Sequence, residues 1–259
     1  MILWDQSETP PNRILANTLL GGVAGNTRTF GASLAGERVS AGMPGGPVAI
    51  ALWKDDQSTS NQDVLRSTEY RSGRGWSRVV TVPGTRNVGD ANISTLDDGR
   101  RVLVWSTNGE LRFNLWSPGV GWQTSALVRS SARISVSTAP YLVAGANGTA
   151  LVVWTEAVPG TGDYTLFGTW FDGIAWGPAT PLSTQAGIII GRDSVQVAAD
   201  QQGSAIVVWQ HTVGNPNDPL GALPQWCLGG AYRLEHGWIG PSLAGRCRRR
   251  HGRGKDRGQ

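Results

Sequence analysis

The sequence predicts an all-β chain assembled from repeated four-stranded units, and three observations carry that prediction. A short apolar run closing on tryptophan returns five times: ILW at Trp4, AIALW at Trp53, VLVW at Trp105, ALVVW at Trp154 and AIVVW at Trp209, at intervals of 49, 52, 49 and 55 residues. Near-constant spacing of this size marks a repeat whose unit is one small sheet. A second landmark follows each of the last four, a tryptophan beside a small residue in Gly75-Trp76, Gly121-Trp122, Ala175-Trp176-Gly177 and Gly237-Trp238. Third, a turn signal precedes each of those four runs: Gly45-Gly46, Asp98-Gly99, Asn147-Gly148 and Gln202-Gly203. Glycine adopts positive φ there without steric cost.

The runs that end in tryptophan are almost continuously apolar at residues 48–53, 151–154 and 205–209. A strand with one wet face alternates, so these strands are built for burial on both faces. A four-stranded sheet achieves that by stacking on copies of itself around an axis. The fold class is therefore an all-β β-propeller of about five four-stranded blades, with the first blade degenerate.

Taken in order, the units cover about residues 1–40, 41–90, 91–130, 131–190 and 191–245. In the first, Trp4 supplies the landmark, the second landmark is missing and a strand is expected to be lacking. The second has strands near residues 48–53, 69–71 and 76–82, with a polar loop at 55–63. The third is the cleanest: residues 102–105 lead to Trp105, Asn108-Gly109 makes a tight hairpin turn, residues 111–116 run back, and Gly121-Trp122 opens a further strand. The fourth adds a hairpin at Asp172-Gly173, and in the fifth a proline-rich insertion at 214–225 stretches the inner hairpin. The chain begins inside a unit and stops without a strand to lock the ring, so the expectation includes an incomplete ring belonging to a longer repeat protein. Such a piece would expose strand edges and self-associate.

Hydrophobic residues make up 39% of the 259, charged residues only 16%, and glycine numbers 36. That composition fits a folded chain of short strands and turns. The formal charge of +4 is concentrated at one end: residues 246–259 hold six Arg, one Lys and one Asp, so the remaining 245 carry −2. The basic segment reads as a disordered tail, and specific nucleic-acid binding is not expected. Cys227 and Cys247 are too few for a disulfide framework, and either pairing or two free thiols satisfies the sequence. The opening residues contain no secretory leader, and the longest uncharged run, 134–154, is interrupted by Pro140 and Asn147-Gly148, so no membrane span is expected.

Constellations for known chemistries are missing. There is no HExxH, no Cys/His cluster and no GxSxG, so no catalytic residue, metal site or cofactor is assigned. Glu69-Tyr70-Arg71 is the one place where acid, phenol and guanidinium adjoin, but successive strand residues face opposite ways. Candidate ligand contacts come from the repeat itself. Trp53, Trp105, Trp154 and Trp209 end apolar strands and read as core. Trp76, Trp122, Trp176 and Trp238 stand at loop-to-strand junctions, where packing and ligand stacking are both open. Two residues beyond the strand tryptophans come Asp55, Thr107, Glu156 and His211; of these, Asp55, Glu156 and His211 are candidate ligand contacts, with solvated turn residues as the alternative.

The order of turn, AxVVW, return strand and Gly-Trp resembles the tandem units of bacterial extracellular β-propellers, similar in outline to sialidase-type and propeller-lectin repeats. The resemblance covers about residues 40–245 and implies an extracellular or cell-surface location. Sialidases carry Ser-x-Asp-x-Gly-x-x-Trp boxes; the nearest string here is Ser94-Thr95-Leu96-Asp97-Asp98-Gly99, whose next tryptophan, Trp105, falls six residues past the glycine. The expected function is a non-catalytic binding or interaction module whose partner is a glycan or a protein. A sialidase-like glycoside hydrolase and a purely structural spacer are the alternatives.

Overall fold

The computed structural model describes residues 2–6, 12–17, 19–20, 23–33, 38–41, 48–55, 63–134, 138, 140–161, 164–182, 189–200, 204–213, 223–233 and 247–248. Among them every regular element is a strand, and the strands form six antiparallel sheets. Among the described residues no helix is long and apolar enough to cross a membrane.

The apolar runs become the strands Val48–Asp55, Arg101–Thr107, Ala150–Ala157 and Ser204–Val213. Each is second in its sheet. On one side lies a strand Arg38–Ala41, Ala91–Thr95, Tyr141–Ala144 or Ile189–Ala199, and on the other Val64–Arg71, Glu110–Ser117, Tyr164–Phe171 or Leu223–Arg233. Short outer strands follow, including Val80–Thr81, Ala126–Ser130 and Thr180–Pro181. These are the second to fifth sheets. The first strands of successive sheets lie beside one another, as they do when sheets stand around a common axis.

The first sheet is reduced to three strands, Ile2–Gln6, Asn12–Asn17 and Arg28–Ser33. Trp4 does not occupy the landmark position expected of it, since its strand is at the edge and Asn12–Asn17 is second. A three-residue apolar run followed by Asp5 and Gln6 suits an edge strand as well as a central one. At the other end the repeat reaches into the basic segment, where Cys247–Arg248 pairs with Trp226 and Cys227. Residues 214–222 of the insertion and 249–259 of the tail lie outside the described residues.

Stacking follows one rule. Alternate residues of each second strand face opposite neighbours. Ile50 and Leu52 of the second sheet pack with Leu103 and Trp105 of the third. Val102 and Val104 of the third pack with Ala150, Val152 and Trp154 of the fourth. Leu151 and Val153 of the fourth pack with Ala205, Val207 and Trp209 of the fifth. All four strand tryptophans are buried, at 4%, 0%, 0% and 7% exposure in chain order. Burying each such side chain stabilises the fold by about 1.5–3 kcal/mol before chain entropy is counted.

Turns add polar staples between sheets. Asn147 and Gly148 both have positive φ, 55° and 72°, which makes the tight turn between Ala146 and Thr149. Their two amides point at one carboxylate: Asn147 N donates to Asp97 Oδ2 and Gly148 N to Asp97 Oδ1, both at 2.6 Å. A side chain on Gly148 would meet Arg100 and Asp98 at 3.0 and 3.1 Å. Arg100 in turn donates to the Gly173 carbonyl at 2.7 Å. The string that resembles a sialidase box thus ties the third sheet to the fourth.

Candidate functional site

The seam between the second and third sheets departs from the rule. In the register set by the strand tryptophans, the residue four before Trp53, Trp154 and Trp209 is alanine (Ala49, Ala150, Ala205), but before Trp105 it is Arg101. On the third strand of the facing sheet, Glu69 pairs with Ile50 where Leu115 pairs with Val102 and Trp170 with Leu151. A carboxylate and a guanidinium therefore replace apolar side chains in one seam. Charges at buried positions are costly unless they are paired, so the substitutions come together or not at all.

Their partners can be followed atom by atom. Trp116 Nε1 donates to Glu69 Oε1 at 2.9 Å, and Arg71 Nη2 donates to Glu69 Oε2 at 3.0 Å. The Arg101 guanidinium lies over the Trp116 ring, with Cζ 4.3 Å from its centroid, and donates from Nη2 to the Val48 carbonyl. Only 3% of Arg101 is exposed, and its Nε and Nη1 meet no protein acceptor. Burial lowers the Arg101 pKa to about 10, opposed by attraction to Glu69.

Glu69 lines a cleft of about 310 Å³ that opens beside this network. Its floor comes from Ser67, Thr68 and Glu69 of the strand Val64–Arg71, and Trp122 of the third sheet forms a wall. Trp122 is half-buried against the seam and donates from Nε1 to Ser67 Oγ at 2.7 Å. Ser77 completes the rim: its Oγ accepts from the Glu69 amide at 2.9 Å, and its carbonyl accepts from Thr68 Oγ1 at 2.9 Å. Arg78 and the exposed Val120 stand at the mouth. The cleft thus joins a carboxylate, hydroxyls and an indole, the set of groups that grips a sugar.

Other expected contacts are distributed differently. Trp76 packs edge-on against Phe30 at 4.8 Å and beside Tyr70 at 5.2 Å. Trp176 packs against Phe171 and Phe113 at 5.3 and 5.8 Å. The turn before it is held by Asp172, whose Oδ1 accepts from the amides of Ile174 and Ala175 at 2.9 and 2.8 Å. The Ala175 and Ile174 amides hold the Asp172 carboxyl below the usual carboxylate range. Asp55 pairs with Arg66 at 2.9 Å. Glu156, 2% exposed, accepts from Arg129, Ser131 and Trp154 at 3.2, 2.8 and 3.2 Å, which ties the loop after Ala126–Ser130 to its own strand. His211 lies in the strand Ser204–Val213, and Trp238 lies outside the described residues. The three candidates Asp55, Glu156 and His211 stand in different sheets, as do Trp76 and Trp122, while Trp176 bridges Phe171 of the fourth sheet.

Glu69, Arg101, Trp116 and Ser67 carry the site and were not singled out from sequence as ligand contacts. The signal for Glu69 and Arg101 is a misfit in the repeat, a charge where the sister units place Ala, Leu or Trp, whereas Trp116 and Ser67 give none. The alternation argument for Glu69-Tyr70-Arg71 matches the contacts, since Glu69 and Arg71 share a face while Tyr70 meets Trp76. Among the described residues no three His, Cys, Asp or Glu side chains gather as a metal would require.

No protein-family model matches the chain, and no curated protein matches it in sequence. Solved structures do match. The polysaccharide lyase Uly1 superposes with a TM-score of 0.52 at 9% identity, over 77% of this chain and 53% of the lyase. The GH93 α-L-arabinofuranosidase of Fusarium graminearum, solved with arabinobiose, gives 0.49 at 13% identity, over 74% of this chain and 61% of the enzyme. The NanB sialidase of Streptococcus pneumoniae gives 0.41 at 16% identity, over 69% of this chain and 28% of the sialidase. The chain spans between about half and three fifths of the length of the lyase and the arabinofuranosidase. The expectation of a non-catalytic module is corrected at this point, since the three solved structures just described are those of two glycosidases and a polysaccharide lyase. At these identities the likeness is one of fold, and the chain is an all-β protein of the β-propeller class.

Proposed function

We propose that the chain is the propeller of a carbohydrate-active enzyme of the glycoside hydrolase type, and that the cleft beside Glu69 holds its glycan. The observation that carries this reading is the paired departure of Glu69 and Arg101 from an otherwise apolar repeat, in the seam where the cleft opens. Real folds break their own pattern mainly where function requires it.

In this reading Trp122 offers an indole to a sugar face, and Ser67 and Ser77 meet its hydroxyls. Glu69, held by Trp116 and Arg71, faces the positive charge that develops at the sugar ring as the glycosidic bond breaks. A glycosidase also needs a proton donor. The described lining holds one carboxylate, so the reading assigns the donor to a residue beyond it.

Purified protein assayed on aryl glycosides, arabinan and a fluorogenic sialoside tests the reading. It predicts turnover of at least one, reduced about 100-fold or more in Glu69→Gln, with KM raised mainly in Trp122→Ala. No turnover on any substrate, or full turnover in a folded Glu69→Gln protein, overturns it.

A further inference from the structure

Every covered seam has two sides. One sheet presents two apolar side chains, two residues apart, and the next receives them on a face of small apolar residues and tryptophan. The presenting pairs are Ile50 and Leu52, Val102 and Val104, and Leu151 and Val153, all between 0% and 2% exposed. In the fifth sheet the same register positions are Ile206 and Val208. Ile206 is 50% exposed and Val208 half-buried, while Val207 and Trp209, facing the fourth sheet, are buried. Residues 205–209 are as apolar as 150–154, yet only one face of this strand is covered.

We propose that the Ile206 face of the fifth sheet docks a further sheet of the same repeat, contributed by a polypeptide segment outside these 259 residues. The seam already seen three times defines its chemistry: a strand ending in tryptophan, with small apolar residues two and four positions before it. A second copy of this chain does not offer such a face, because Trp53, Trp105, Trp154 and Trp209 are all buried against their own neighbours. The first sheet does not offer it either, since its second strand, Asn12–Asn17, contains no tryptophan. The inference is independent of the proposed activity.

The test places a thiol at the face, as Ile206→Cys in a Cys227→Ser, Cys247→Ser protein, and measures maleimide labelling. The chain is compared with a variant extended at its C terminus, through a flexible linker, by a copy of residues 131–190. The extension slows labelling about tenfold or more, because the added unit brings an unoccupied tryptophan face. Unchanged labelling overturns the proposal. Slow labelling of the unextended chain, with a dimer in sedimentation that Ile206→Glu dissolves, replaces the proposed partner with a second copy. As a separate measurement, Ile206→Glu in the unextended chain leaves the melting temperature nearly unchanged, as exposed positions do. A fall as large as that of Ile50→Glu shows that the chain covers the face itself and overturns the proposal.

Discussion

The seam between the second and third sheets and the seam between the third and fourth use one stacking geometry with different chemistry at the middle of the strands. In the latter Val102, Val104, Val152, Trp154 and Phe171 pack there, and its charges, Glu156 paired with Arg129 and the Asp97 carboxylate, stand at the strand ends. The former places Glu69 and Arg101 at positions that the repeat otherwise fills with apolar residues, and a cleft opens beside them. Stacking alone therefore does not require the charges. A propeller seam tolerates a polar network only if both partners are kept, and this one leaves two guanidinium nitrogens without an acceptor.

The largest effect that separates the two seams is expected in the one between the third and fourth sheets. Trp154→Ala removes a fully buried indole and costs about 3–5 kcal/mol in denaturant unfolding; Trp122→Ala, on the half-buried wall of the cleft, costs clearly less. If the two cost the same, the distinction between the seams is wrong.

Next comes the charged pair. Glu69→Leu alone leaves Arg71 and Arg101 without their carboxylate and destabilises by about 1–3 kcal/mol. Adding Arg101→Ala restores the repeat's usual residues on both sides. The double variant should recover stability to the original level or above it, while any glycan turnover is lost. A double variant less stable than Glu69→Leu would show that the network holds the fold and is not a functional departure.

These comparisons also show what the sequence made legible. The strands ending in Trp53, Trp105, Trp154 and Trp209 were readable because residues apolar on both faces leave few alternatives to stacked sheets. The turns at Asn108-Gly109, Asn147-Gly148 and Asp172-Gly173 were readable from their chemistry. Trp4 misled because three apolar residues do not specify whether a strand lies at an edge or in the centre. The strand Val64–Arg71 begins five residues earlier than the reading placed it, since Arg66, Ser67 and Thr68 look like a loop until their partners are known. The site stayed hidden for a related reason: Arg101 touches Trp116 and Val48, far from it in the chain, and only the repeat register makes it conspicuous.

A smaller effect concerns pH. Burial holds the folded Arg101 guanidinium at about 10, below its ordinary value in the unfolded chain. Between those values the unfolded chain binds more protons, so stability rises with pH there, and the cost of burying the cation is fully present below pH 10. Urea midpoints from pH 9 to 11.5 should show this alkaline rise in the original protein and a flatter profile in Arg101→Ala. The smallest effect belongs to Asp172, whose lowered pKa contributes stability above the unfolded value and loses it as pH falls through the folded one. Asp172→Ala should therefore soften the acid-side decline in melting temperature slightly; an unchanged decline would detach the turn from stability.

The Asp97 carboxylate that grips the amides of Asn147 and Gly148 has a kinetic consequence. Together with the Arg100 bond to Gly173 and the bond from Ala144 N to Ser94 Oγ at 3.0 Å, it fastens two neighbouring sheets at their rims. Opening either sheet breaks the same three clasps, so amide protons of both should exchange with solvent deuterium at one shared rate, as a single breathing body at the centre of the chain.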